Sequence, residues 1–208
     1  MNRKNIFIIF SIIMLITFVG LTVVLVEGSK IYWSQKRIVK EYGINLSYPG
    51  AYEDIPKKDG NIEKISQNLT ITENIKFVEG YTPAVFEELI HIKNNRSGIT
   101  LLVEGLKIEK TEKTIEEICK DYTTMFKVFN PDQTLLESKY EEVIIDGKPA
   151  GKVEIFIKGK TEKIQPGIIA YLISLDDREI NIVFSGTKEI FKNSNKELEK
   201  ILNSIEIE

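Results

Sequence analysis

Residues 6–26 form a run with no charged side chain, interrupted only by Ser11, Thr17, Gly20 and Thr22. At about 1.5 Å per residue, a helix of that length spans roughly 31 Å, the hydrocarbon thickness of a bilayer. It has no polar face anywhere along its turns, so a helix packed on one side of a soluble core fits it poorly. Arg3 and Lys4 lie in the short tail 1–5 that precedes it, as in a signal anchor. The run exceeds the roughly 7–15 apolar residues of a cleaved signal. A cut after Gly28 is the alternative, and no Cys stands at the end of the run for lipoprotein processing. The expectation is one transmembrane signal-anchor helix at 6–26.

Orientation follows from two opposed rules. Lys30, Lys36, Arg37 and Lys40 lie in the basic stretch 27–41, read as a juxtamembrane linker, and outnumber the basic residues before the span. Taken alone, that count holds the remainder of the chain in the cytoplasm. A very short amino-terminal tail normally stays inside, however, and long domains translocate regardless of flanking charge. The expected location is the cell membrane, with one span and the carboxy-terminal domain extracytoplasmic. The basic stretch can also rest on anionic headgroups.

The charge of the whole chain, −3 from 28 Lys+Arg and 31 Asp+Glu, is an average over unlike parts. The basic residues up to Lys40 are confined to the anchor and its flanks, and only Glu27 and Glu41 oppose them there. The domain at 42–208 is therefore markedly acidic, which argues against a nucleic-acid partner. The chain has 1 Cys and 1 His. That excludes an intramolecular disulfide framework, multi-thiolate zinc sites and two-His metal motifs. The frequent Ile, Lys, Asn and Glu point to an AT-rich bacterial genome.

Within 42–208, Ile44, Leu46 and Tyr48 alternate with polar neighbours up to Pro49-Gly50, which predicts a first strand and a turn. Residues 65–72 and 75–78 read as extended pieces. Ile90 and Ile92 alternate, Asn94 to Gly98 supplies turn chemistry, and 99–108 follows as a partner strand. A helix is predicted over 111–129. Thr111 or Thr114 can cap it, and Glu117 completes a capping-box spacing with Thr114. Ile115, Ile118, Cys119, Tyr122, Met125, Phe126 and Phe129 form its apolar face. Strands at 134–145 and 152–158 flank Asp146-Gly147, and strands at 168–175 and 179–184 flank Asp176-Asp177-Arg178. Ser194 is the expected cap of a last helix with Leu198, Ile201 and Leu202 inward. Tight turns between strands predict a mainly antiparallel sheet flanked by helices, an α+β architecture.

The order of these landmarks resembles the PsbP/Mog1-like superfamily of small α/β/α sandwich domains. The opening Tyr42-Gly43-Ile44-Asn45-Leu46-Ser47-Tyr48-Pro49 is similar to the family's first strand, with a second aromatic, Tyr52, close behind. The helix at 111–129, the hairpin at Asp146-Gly147-Lys148-Pro149-Ala150 and the strand ending Phe184-Ser185-Gly186 follow in the same order. The finish from Phe191 through Leu198-Glu199-Lys200-Ile201-Leu202-Asn203-Ser204-Ile205 looks like the closing helix and final strand. The resemblance covers 42–208 and implies fold far more than function. Its members include photosystem accessory subunits, regulators of a small GTPase and bacterial envelope proteins. For this chain it implies a membrane-anchored bacterial relative with a non-catalytic role.

No residue pattern marks a catalytic centre, a cofactor or a metal site. His91 lies between Ile90 and Ile92 and must point away from both. Cys119 falls on the helix's apolar face, where a buried, inert thiol is the default. Asp176-Asp177 lacks the spaced oxygen ligands of a calcium loop and reads as a solvated turn. Tyr48, Tyr52, Phe77 and Tyr81, near Pro49 and Pro83, are the candidates for an exposed aromatic surface that anchors a partner or ligand. Core packing is the competing explanation for most of them. The leading expectation is a non-catalytic binding or accessory module of a bacterial envelope, with an unidentified protein or envelope partner. The alternatives are a small-molecule or ion sensor, or an enzyme with a dispersed carboxylate/Tyr site.

Overall fold

The computed structural model describes residues 35–56, 86–109, 113–159, 161 and 164–208, where mostly antiparallel strands and two helices build an α+β fold. The expected anchor at 6–26 and the extended pieces at 65–72 and 75–78 lie outside the described residues. Among the described residues, no helix is long and apolar enough to cross a membrane.

A seven-stranded sheet forms the centre. Its strands are β3 (Tyr52–Asp54), β4 (Glu87–Asn94), β5 (Thr100–Lys107), β6 (Leu135–Ile145), β7 (Lys148–Ile157), β8 (Pro166–Ser174) and β9 (Arg178–Thr187). They run in the order β3-β4-β5-β9-β8-β7-β6, every neighbour antiparallel. Local chemistry sets the hairpins. Asp146 and Gly147 both sit at positive φ, 48° and 72°, so the β6–β7 connection is a two-residue turn whose twist matches the strands. In the β4–β5 turn, the side chain of Asn94 accepts from the backbone N–H of Arg96 at 2.9 Å.

Two layers cover the sheet. On one face lies helix α1 (Ile115–Phe129). It starts with the expected capping box, in which Thr114 accepts from the Glu117 N–H at 3.3 Å and Glu117 accepts from the Thr114 N–H at 2.8 Å. Its Cys119 packs among Leu102, Val153, Ile155, Ala170, Leu172 and Val183. On the other face lie helix α2 (Lys188–Asn203) and a second, three-stranded sheet. That sheet comprises β1 (Gln35–Val39), β2 (Ile44–Tyr48) and β10 (Glu206–Ile207) in the order β1-β2-β10. Between these elements, Leu46, Tyr48, Phe184, Phe191 and Ile201 form part of the larger apolar cluster. Each fully buried Leu, Ile or Phe contributes about 2 kcal/mol of transfer free energy.

Two sequence expectations are corrected. The folded domain begins before Tyr42, because β1 lies inside the stretch read as a linker and pairs with β2 along its whole length, from Gln35↔Tyr48 to Val39↔Ile44. Three of its five residues face solvent, so its sequence, Gln-Lys-Arg-Ile-Val, lacks the alternation that betrays a half-buried strand. The last helix begins at Lys188 rather than after Ser194. Thr187 is its cap, accepting from the Ile190 N–H at 3.3 Å, and the extra turn buries Phe191 against the sheet.

Candidate functional site

The strand phases sort the chemically active side chains onto the two faces. Ile90 and Ile92 pack into the cluster under α2, so His91 turns to the α1 face, as their alternation predicts. A register shift between Glu88 and Ile90 then changes the phase of β4. It places Glu88 on the same face as His91, with His91 Nδ1 3.2 Å from a Glu88 carboxylate oxygen. Glu88 stands opposite Glu104 of β5, and Glu104 stands opposite Asn181 of β9. Burial, the nearby Glu88 charge and an opposing hydrogen bond from Asn181 leave the Glu104 carboxyl pushed up to about 7. Tyr122 of α1 faces the same group, and its phenol is raised by burial first and by Glu104 second. His91 is 12% exposed, and its Nε2 is buried with no hydrogen-bond partner.

This cluster is a polar inclusion of proton-binding groups. Among the described residues, no three His, Cys, Asp or Glu side chains are placed to hold a metal ion. Cys119 is fully buried, and burial raises its thiol, so it lacks the electropositive exposure a nucleophile needs. Asp177 forms an ion pair with Arg178 at 2.7 Å in the β8–β9 turn and is largely solvated.

An open groove lies on the opposite face, between the C-terminal end of α2 and the tip of the β6–β7 hairpin. It encloses about 250 Å³, with Val143, Leu202 and Ile205 as apolar lining and Tyr171, Glu199 and Asp146 as polar groups. Asp146 is committed to structure, since its carboxylate accepts from the Ile207 N–H at 2.7 Å. Tyr171 is raised by burial, partly offset by the cation of Lys152. Lys152 itself bonds Glu141 and Glu154, each at 2.8 Å. Burial lowers its ammonium, but these two bonds outweigh that and leave it raised. The groove thus mixes apolar side chains with polar and acidic groups, and it is open to solvent.

The expected aromatic surface is corrected at two of its four positions. Tyr48 and Tyr52 are each 1% exposed and belong to the core. Their rings meet edge to face with centroids 6.0 Å apart. The Tyr48 hydroxyl accepts from Arg37 Nε at 2.9 Å, and the Tyr52 hydroxyl donates to Glu197 at 2.9 Å. They staple β1 and α2 to the domain because a Tyr can bury its ring and still satisfy its hydroxyl at the edge. Phe77 and Tyr81 lie outside the described residues. Of the groove residues, Tyr171 was marked by no motif, and Leu202 was expected only as a core residue of the last helix. The cluster residues Glu88, Glu104 and Asn181 come from three strands and meet only through sheet register.

The α+β domain, with its antiparallel sheet between helices, has a PsbP-like fold. It is similar to the solution structure of cyanobacterial PsbP (CyanoP) from Synechocystis, at 12% identity and a TM-score of 0.54. That match covers 84% of this chain and 92% of the cyanobacterial one. It is also similar to a crystal structure from Bacteroides thetaiotaomicron, at 11% identity and a TM-score of 0.50, covering 84% of this chain and 48% of that one. No family model and no curated protein matches the chain.

Proposed function

We propose that the chain is a membrane-anchored, extracytoplasmic accessory module of a bacterial envelope, which binds a protein segment and catalyses no reaction. The anchor is the uncharged run 6–26 with its basic flanks. The observation that carries the binding reading is the groove beside α2. Its Val143, Leu202 and Ile205 lining suits an apolar side chain, and Glu199 at its rim suits a neighbouring Lys or Arg on the bound segment. It is open rather than enclosed, unlike a site that surrounds a small substrate.

The test is a photo-crosslinking amino acid placed at Leu202 of the full-length chain in its native membrane, with the same group at the exposed Lys192 as control. The expected result is a defined protein adduct at 202 that is absent at 192 and reduced by Tyr171→Asp. Equal labelling at both positions would remove the groove as the binding surface.

A second reading, an ion sensor or an enzyme with a dispersed carboxylate/Tyr site, draws on the Glu88–His91–Glu104 cluster, where one carboxyl titrates near neutrality. It requires an activity or ligand response that Glu104→Gln abolishes while the groove variants leave it intact.

A further inference from the structure

Strand β6 is the outer strand of the large sheet among the described residues, and it carries the exposed apolar residues Leu136, Tyr140 and Ile144, with a register irregularity between Leu135 and Glu137. Ile145 and Lys148 flank the two-residue turn, so they exchange hydrogen bonds and the backbone groups of Ile145 point inward. Alternation then turns the N–H and C=O of Ser138, Tyr140, Glu142 and Ile144 outward, with no strand beyond them among the described residues. The same even-numbered residues carry their side chains on the α1 face. Tyr140, for example, donates its hydroxyl to Glu116 of α1 at 2.8 Å. Leu136, Tyr140 and Ile144 are 49%, 45% and 69% exposed. A long, accessible strand edge of this kind is a template for pairing.

The sequence of β6 selects its own partner. An antiparallel pair of two β6 strands must place outward-facing residues opposite outward-facing residues, which restricts the allowed registers. Centred on Tyr140, the regular pairs are Ser138↔Glu142 and Lys139↔Glu141, each repeated by symmetry, with Tyr140↔Tyr140 on the axis, and the pairing ends before the irregularity at Leu136. The two Tyr140 side chains then meet on the axis, and Lys139 meets Glu141 twice. Shifting the centre to Lys139 sets Lys139 against itself and Glu137 against Glu141. Shifting it to Glu141 sets Glu141 against itself. Shifting it to Ser138 sets Glu137 against Lys139 but brings the irregularity between Leu135 and Glu137 beside the axis. Like-charge repulsion and that irregularity together set the register. Lys139 bonds Glu137 of its own strand yet remains 67% exposed, so it can reach across the edge.

From this edge we propose that the protein forms a twofold-symmetric dimer by antiparallel pairing of β6 with β6 of a second copy, with Tyr140 on the axis. The two large sheets then become one continuous sheet, and both α1 helices lie on the same side of it. The inference does not rest on the groove reading, because its test reads oligomeric state and crosslinking at residues 138, 140 and 142, none of which lines the groove.

The test uses the full chain in detergent micelles, with oligomeric state measured by sedimentation and register by oxidative crosslinking with copper phenanthroline. The expected result is a dimer that Lys139→Glu weakens by about tenfold, through two like-charge contacts, and that Lys139→Glu combined with Glu141→Lys restores. Tyr140→Cys should form a disulfide-linked dimer on its own. Ser138→Cys and Glu142→Cys should crosslink to each other in a mixture in preference to themselves. A monomeric chain, a dimer indifferent to Lys139→Glu, or equal crosslinking of the 138, 140 and 142 variants to themselves would overturn the proposal.

Discussion

Glu88 and Glu104 stand directly opposite each other across the β4–β5 pair, on the face that α1 covers. Two carboxylates in that arrangement cannot both ionise without cost. Burial first, and the facing Glu88 charge second, make Glu104 hold its proton up to about 7.

Stability should therefore depend on pH in a defined window. The folded state holds the Glu104 proton from the ordinary carboxyl value of 4.5 up to about 7, whereas the unfolded chain has released it. Folding thus takes up a proton across this window, and stability falls as pH rises through it, by up to about 3 kcal/mol, then levels off. Glu88 of β4, Asn181 of β9 and Tyr122 of α1 face this carboxyl, and His91 contacts Glu88. Urea denaturation between pH 4.5 and 8 measures this directly. Glu104→Gln, which removes the charge and keeps the shape, should flatten most of the slope. Glu179, raised by the same kind of burial, should leave a smaller one. An unchanged slope in Glu104→Gln would assign the effect to other groups.

The docking of α1 depends on the absence of a side chain at Gly151. A methyl group there would collide with Cys119 Sγ and press on Ile115 Cγ2 at 3.1 Å. Gly151→Ala should cost about 1–3 kcal/mol by overpacking. Cys119→Ala in the same chain should return part of that loss, because it removes the colliding atom. A double-mutant cycle by chemical denaturation gives the coupling, and strict additivity would contradict the contact.

How much was legible follows from where each signal resides. Thr114 with Glu117, and Asp146 with Gly147, are short-range signals carried by side chains that bond or bend their own backbone, and the structure uses both. The phase of His91 was equally local, since Ile90 and Ile92 determine it. By contrast, the register shift between Glu88 and Ile90 leaves no mark in composition, so the meeting of Glu88, His91 and Glu104 could not be read. Strand β1 escaped because an edge strand with solvent-facing Lys36 and Arg37 shows a linker's polarity. Tyr48 and Tyr52 suggested a surface because nothing in sequence separates a Tyr that anchors a partner from one that anchors its own fold. The difference lies in Arg37 and Glu197, which reach their hydroxyls from distant elements.

That second anchoring role makes its own prediction. Glu197 accepts from Tyr52 at 2.9 Å and from Asn94 Nδ2 at 3.0 Å, joining α2 to β3 and β4. Glu197→Ala removes the shared acceptor beside two buried donors and should cost about 2 kcal/mol, whereas Glu197→Gln should retain most of it. Thermal unfolding of the two variants distinguishes them, and equal losses would show that the bonds contribute little.

The proposed position of the PsbP-like domain, at the outer face of a membrane with residues 6–26 as its anchor, makes the domain accessible from outside the cell. Protease added to intact cells expressing the full-length chain tests it most directly, with permeabilised cells as the control for intrinsic sensitivity. The account predicts that the domain is removed from intact cells and that a short membrane-embedded amino-terminal fragment remains. Full protection in intact cells, with digestion only after permeabilisation, would contradict it.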